Sequence, residues 1–181
     1  METFENAVRE NPKTIFIACH YLNMTHDLPR LGALLDKYPN MYFDISARVA
    51  ESAHTPRATR EFLIKYQDRV LFGTDNGMDA VMYQNIFHVL ETNDEHFYVP
   101  EYGYHWALSG FNLPDEVLKK MYHDNAFRIV TEYRLVDSLK LKAHEKDSYI
   151  FEHCGDDGRL CTEPGHGASC LRRSGNEFVS V

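Results

Sequence analysis

No stretch of the chain approaches the roughly 18 consecutive apolar residues that a membrane-spanning helix needs, and the first residues lack the charged-then-apolar layout of a signal peptide. A basic stripe is missing too. The 19 Lys and Arg stand against 27 Asp and Glu, a formal net charge of −8, which argues against a nucleic-acid surface. Cysteine is scarce, and none of the four makes the close pair of a zinc module. Cys19 lies in an apolar run and reads as a small buried hydrophobe. These absences leave a cytoplasmic protein with no membrane or nucleic-acid partner. What remains is ordinary: 181 residues, 44% hydrophobic and 13% aromatic, enough for one domain with a real core.

In order along the chain, Glu2 to Asn11 predicts a helix, with Phe4 and Val8 one turn apart, closed by Asn11-Pro12. Thr14 to Ala18 is a β-branched and aromatic run without polar alternation, the pattern of a strand buried on both faces. Leu28-Pro29 opens a helix whose apolar stripe is Leu31, Leu34, Leu35 and Tyr38. Met41 to Phe43 is a second short strand, and Pro56 opens a helix carrying Ala58, Phe62 and Tyr66. Val70 to Gly73 reads as a third strand and Asp79 to Glu91 as another helix. Thr92 to Asn112 has no period and reads as a loop. Leu113-Pro114-Asp115-Glu116 opens a last helix with acids in its first turn and Val117, Leu118, Met121, Tyr122, Ala126 and Ile129 on its buried face. Strands alternating with helices predict an α/β fold with a parallel sheet. From Thr131 the pattern decays into a Lys-rich and then Gly/Cys/Arg-rich stretch, so residues 131–181 read as a weakly structured tail behind a domain at 1–130.

Each predicted strand ends in a group that can do chemistry: His20, Asp44 and Asp75. In a parallel α/β sheet all strand C-termini open onto one face, so these three side chains can converge. Neutral His and carboxylate Asp are common ligands of hydrolytic zinc or manganese, and a His without metal serves as an acid or base near neutral pH. The plainer alternatives stay open at this point. Asp75 suits a turn or helix cap, His20 a hydrogen-bonded rim position, and Asp44 an ion pair with Arg48.

The segments Ile17-Ala18-Cys19-His20, Lys37 to Asp44, Leu71-Phe72-Gly73-Thr74-Asp75, and Leu113-Pro114 with Asn125-Ala126 together resemble the C-terminal part of the amidohydrolase-related family. These are metal-dependent hydrolases and decarboxylases of the TIM-barrel class, the group containing aminocarboxymuconate-semialdehyde decarboxylase. The resemblance covers roughly residues 7 to 130. It implies that the chain is the last three strand–helix units of a (β/α)₈ barrel, with an irregular tail. It makes Asp75 the metal-binding, water-orienting aspartate and His20 the catalytic His that polarises the substrate or assists the activated water. Asp44 is placed at the substrate and Asn125 in a structural role. The implied cofactor is a divalent metal, zinc or alternatively manganese, and the implied substrate a small carboxylated or cyclic molecule.

The sequence also departs from that family. No His-x-His pair occurs anywhere in it, and a full barrel typically needs about 250 residues. The chain is therefore expected to be weak or inactive alone, with a second copy or a partner chain completing the barrel; a non-catalytic fragment or interaction module is the alternative. In the barrel reading, Tyr98, Tyr102, Tyr104, His105 and Trp106 overhang the mouth of the site, although simple packing onto the last helix explains them as well. In the tail, His153, Cys154, Cys161, His166 and Cys170 are too widely spaced for a zinc module and read as solvated.

Overall fold

The computed structural model of the chain describes residues 2–77 and 79–131 and, further on, residues 159–161, 170–174 and 177–180. The chain divides into two compact units, Met1–Val130 and Thr131–Val181.

In the first unit, three short strands form a parallel sheet in chain order: β1 (Phe16–Ala18), β2 (Met41–Asp44) and β3 (Val70–Leu71). Between and around them lie α1 (Glu2–Glu10), α2 (Leu28–Lys37), the single turn α3 (Val49–Ser52), α4 (Pro56–Lys65), α5 (Ala80–Glu91) and α6 (Asp115–Lys119). Helix α6 passes through a π-helical turn, Lys120–Asp124, and resumes over residues 125–131. This is a mixed helix-and-strand unit built on a small parallel sheet.

The apolar stripes behave as their spacing requires. Leu31, Leu34 and Leu35 of α2, Phe62 and Leu63 of α4, Ile86, Val89 and Leu90 of α5, and Val117 and Met121 are all buried with Phe43, Met41 and Val70 of the sheet. Asp27 caps α2 by accepting from Arg30 N–H, and Pro29 sits in the first turn, where no amide is needed. Two polar side chains lock the sheet's starting edge. The Asn40 amide donates to the carbonyls of Val8, Asn11 and Thr14. The Arg69 guanidinium donates to Met41 O and Tyr38 O, and burial lowers its pKa. On the far side, the buried Asn125 amide donates to Gln67 O and Val70 O, both at 2.8 Å.

Several local expectations need correction. Strand β1 is not buried on both faces: Ile17 is 44% exposed, because β1 pairs only with β2 and its outer edge is unpaired among the described residues. Cys19 is exposed at the strand end rather than buried. Ala58 and Ala126 face solvent, and Thr59 and Asn125 take the inward positions beside them. The third strand stops at Leu71, two residues before Gly73. In the second unit, β4 (Arg159–Cys161), β5 (Cys170–Ser174) and β6 (Glu177–Ser180) form an antiparallel sheet in which the sequence reading placed no strand. His153, Cys154 and His166 lie outside the described residues.

Candidate active site

The loops after the three strands meet at one end of the sheet. Asp44 ends β2, and its Oδ1 accepts two backbone N–H groups: His20 at 2.8 Å and Ser46 at 3.0 Å. The second bond is an Asx turn, in which the side chain caps its own loop two residues on. The first ties the end of β1 to the end of β2. The loop after β3 joins the same brace, with Ala47 N–H donating to Thr74 O at 3.2 Å. Gly73 allows this approach, since a Cβ there would lie 2.3 Å from Ser46 Oγ. Arg48 pairs with Glu51 and Asn23, not with Asp44.

This brace orients His20. Its Nδ1 lies 3.0 Å from Ser46 O, and a carbonyl only accepts, so Nδ1 carries the proton. In the neutral ring, Nε2 then presents its lone pair, and it faces Asp75 Oδ2 at 3.9 Å. Two acceptors aimed at each other across that gap call for a proton, a water or a cation between them. The pair is open to solvent, with side chains 30% exposed for His20 and 60% for Asp75. Asp75 does not cap the following helix; Asp79 does, accepting from Val81 and Met82 N–H.

Both members of the pair sit on strained backbone. Asp75 has φ 60°, and so does His20, which begins four consecutive left-handed residues, His20–Asn23. A non-glycine residue in this region costs about 1–2 kcal/mol, so the turn costs about 4–8 kcal/mol. Tyr21 offsets part of this. Its ring is fully buried and lies 5.4 Å from Phe43, and burying a side chain of this kind contributes about 1.5–3 kcal/mol, less the cost of its hydroxyl, which is buried without a hydrogen-bond partner. Asn23 contributes through its bonds from Arg48.

Two donors, His20 Nε2 and an Asp75 oxygen, face a space where a divalent metal could sit. Zinc holds His N and Asp O at about 2.0–2.2 Å, so one ion can touch both groups across the observed gap. The Nδ1–H to carbonyl bond is also how metal-bound His rings are oriented. The described residues supply no third ligand. The Cys19 thiol, exposed at the strand end, has its pKa raised by partial desolvation and by Asp44 and Asp75. Among the described residues, no group of three or more His, Cys, Asp or Glu can hold a metal ion. These residues alone do not fit a resident metal.

The sequence brought His20, Asp44 and Asp75 to one sheet end, and the structure gathers them there. It missed Ser46, whose carbonyl fixes the His20 ring. The Asp-x-Ser order of an Asx turn was the available signal. Tyr104 stacks on Trp106 at 4.3 Å, and its hydroxyl reaches Glu51, so the aromatic loop packs on α3.

A model of the family described as amidohydrolase matches residues 1–131. No curated protein and no solved structure matches the chain. A family match over more than half of the sequence, carrying these strand-end residues with it, settles the kinship: the chain belongs to the amidohydrolase family.

Proposed function

We propose that this chain supplies the His and Asp positions of a hydrolase or decarboxylase acting on a small carboxylated or cyclic substrate. The observation that carries the reading is the His20–Asp75 pair, with its tautomer set by Ser46 O and its strained backbone held at one sheet end. Nδ1–H stays on the carbonyl, so Nε2 takes the proton from a water held near Asp75 and returns it to the leaving group. The Asp75 carboxylate orients that water and stabilises the imidazolium. When bound, zinc or manganese would supply an acidified water, with Asp75 as one of its ligands; the others must come from outside the described residues.

In this reading the three-stranded sheet is the closing portion of a (β/α)₈ barrel. The unpaired edge of β1, with Ile17 exposed, is where a second copy or a partner chain would continue the sheet. That the described residues supply no third ligand favours a second reading, a non-catalytic module that keeps the fold elements.

Metal content and turnover of the purified chain and of Asp75→Ala decide between these. Substoichiometric metal and weak turnover, both lost in Asp75→Ala, support the incomplete site. One equivalent of metal with full turnover overturns the incompleteness, and turnover unchanged in Asp75→Ala overturns the role of Asp75. No turnover in either protein supports the non-catalytic module.

A further inference from the structure

The sheet of the second unit sets two cysteines opposite one another. Strand β4 pairs antiparallel with β5 in the register Arg159↔Arg172, Leu160↔Leu171 and Cys161↔Cys170. Strand β5 is the central strand, and its other side pairs with β6 from Leu171↔Ser180 to Ser174↔Glu177. Its register is therefore held on both sides, one of them pinned by the Gly175-Asn176 turn. A slip of one residue would break the match of Leu160 with Leu171 together with that of the cysteines.

Directly opposite residues of an antiparallel pair have Cα atoms about 4.5 Å apart at non-hydrogen-bonded positions and about 5.5 Å apart at hydrogen-bonded ones. A disulfide spans Cα separations of about 4.4–6.8 Å, so either kind of position is in range. The face also carries activating charge. Residues two apart share a face of a strand, which places Arg159 and Arg172 on the face of Cys161 and Cys170. Cationic neighbours favour the thiolate, the form that attacks a disulfide. Among the described residues of the sheet, the carboxylate on that face is Glu177, at the far end of the ladder opposite Ser174. Sequence distance alone does not single out this pair. Cys161 has six residues between it and Cys154 and eight between it and Cys170, and closing two such loops costs nearly the same entropy. The ladder is what favours Cys170.

We propose that Cys161 and Cys170 form a reversible disulfide site, a cross-strand pair that ties β4 to β5 under oxidation and opens under thiol reductants. The oxidant is a small disulfide such as oxidised glutathione. One cysteine thiolate attacks a sulfur of it and expels one glutathione thiolate; the other cysteine then displaces the second from the mixed disulfide. One S–S bond breaks and one forms. The two electrons and two protons of the protein thiols leave with two molecules of reduced glutathione. This site is independent of the reading of His20 and Asp75.

The full chain is equilibrated with oxidised and reduced glutathione and EDTA, in buffer and in concentrated urea. Free thiols are then alkylated and linked peptides identified by mass spectrometry. In buffer the Cys161–Cys170 link should dominate, with Cys19 and Cys154 alkylated. It should withstand reduced glutathione about tenfold better than in urea, where the ladder is lost. Leu171→Pro, which removes an amide from the central strand without touching a cysteine, should bring it down to the urea level. Cys154→Ser should leave it unchanged. The proposal is overturned if Cys154 pairs with either cysteine in buffer as often as the two pair together, or if both stop at mixed disulfides with glutathione. It is equally overturned if the link is no more stable in buffer than in urea, or if Leu171→Pro leaves its stability as it was.

Discussion

Replacing Asp44 by Ala and by Asn separates two roles that the position can have. In the fold, one oxygen of Asp44 accepts His20 N–H at 2.8 Å and Ser46 N–H at 3.0 Å, which joins two strand ends. Hydrogen bonds to a charged acceptor contribute about 1.5–3 kcal/mol each, and a buried amide left without a partner costs about 1–3 kcal/mol. Both bonds are half-buried, so water recovers part of the loss, and Ala should cost about 2–4 kcal/mol in all. Asn keeps an oxygen in place but loses the charge, and should cost about 1 kcal/mol. For a chain of this size about 2–4 °C of melting temperature follows each kcal/mol. The Ala variant should therefore melt about 5–15 °C below the native chain, with Asn within about 4 °C of it. Differential scanning calorimetry measures both. The His20 ring should also lose its fixed tautomer in Asp44→Ala, read from its nitrogen chemical shifts, and keep it in Asp44→Asn. If Asp44 serves the substrate instead, Ala and Asn will weaken substrate binding alike while the melting curve and the His20 shifts stay put. That outcome would refute the brace.

Other positions make similarly sharp tests. At Gly110 an added Cβ would meet the Thr92 backbone, its carbonyl oxygen at 2.2 Å, so Gly110→Ala should cost about 1–3 kcal/mol in urea unfolding and loosen the long loop. Asn125→Leu strands the carbonyls of Gln67 and Val70 beside β3 and should lower stability by about 2–5 kcal/mol on the same measurement. Tyr21→Ala should cost about 3–5 kcal/mol and free the His20 turn, whereas Tyr21→Phe, which keeps the ring, should stay within about 1.5 kcal/mol of native. Glu5 has its pKa lowered by hydrogen bonds from Lys37 and Tyr38. A carboxyl lowered in the folded state stabilises above its unfolded value and loses that contribution as pH falls through the folded one. Melting of Glu5→Gln should therefore trail the native chain at neutral pH and converge with it below about pH 4.

The sheet and its helices were legible because each strand is a short apolar run with a punctuating stop, and each helix has a stripe and a start signal such as Leu28-Pro29. Alanine was not, because Ala58 and Ala126 fit either face of a helix and only the neighbours Thr59 and Asn125, with their polar contacts, decide which turns inward. The burial of β1 was misjudged for a different reason. An apolar run states what a strand can bury, and whether a neighbour arrives is information carried elsewhere. In the second unit, Ser174 pairs with Glu177 across Gly175-Asn176, a dipeptide that signals a two-residue hairpin; the charged residues around it masked the strand pattern. At the site, residue identity at strand ends was readable and ring orientation was not. The orientation depends on the carbonyl of Ser46, a backbone atom that every residue shares.

The left-handed backbone at His20 and Asp75 ties these observations together. Neither residue would choose φ 60° in a short peptide, so both conformations are imposed by what surrounds them. For His20 the imposing groups are identifiable: Tyr21 is seated under Phe43, Asn23 is held by Arg48, and the Asp44 and Ser46 atoms grip the backbone amide and the ring. All of these lie within the first unit, so one half of the pair is oriented without any metal. For Asp75 the restraint is lighter. Thr74 and Asn76 bond to each other around it, and its own carboxylate is left to solvent and to His20. A site assembled this way has a fixed base and a carboxylate with freedom to adjust. Whatever completes it has to do its organising work on the Asp75 side.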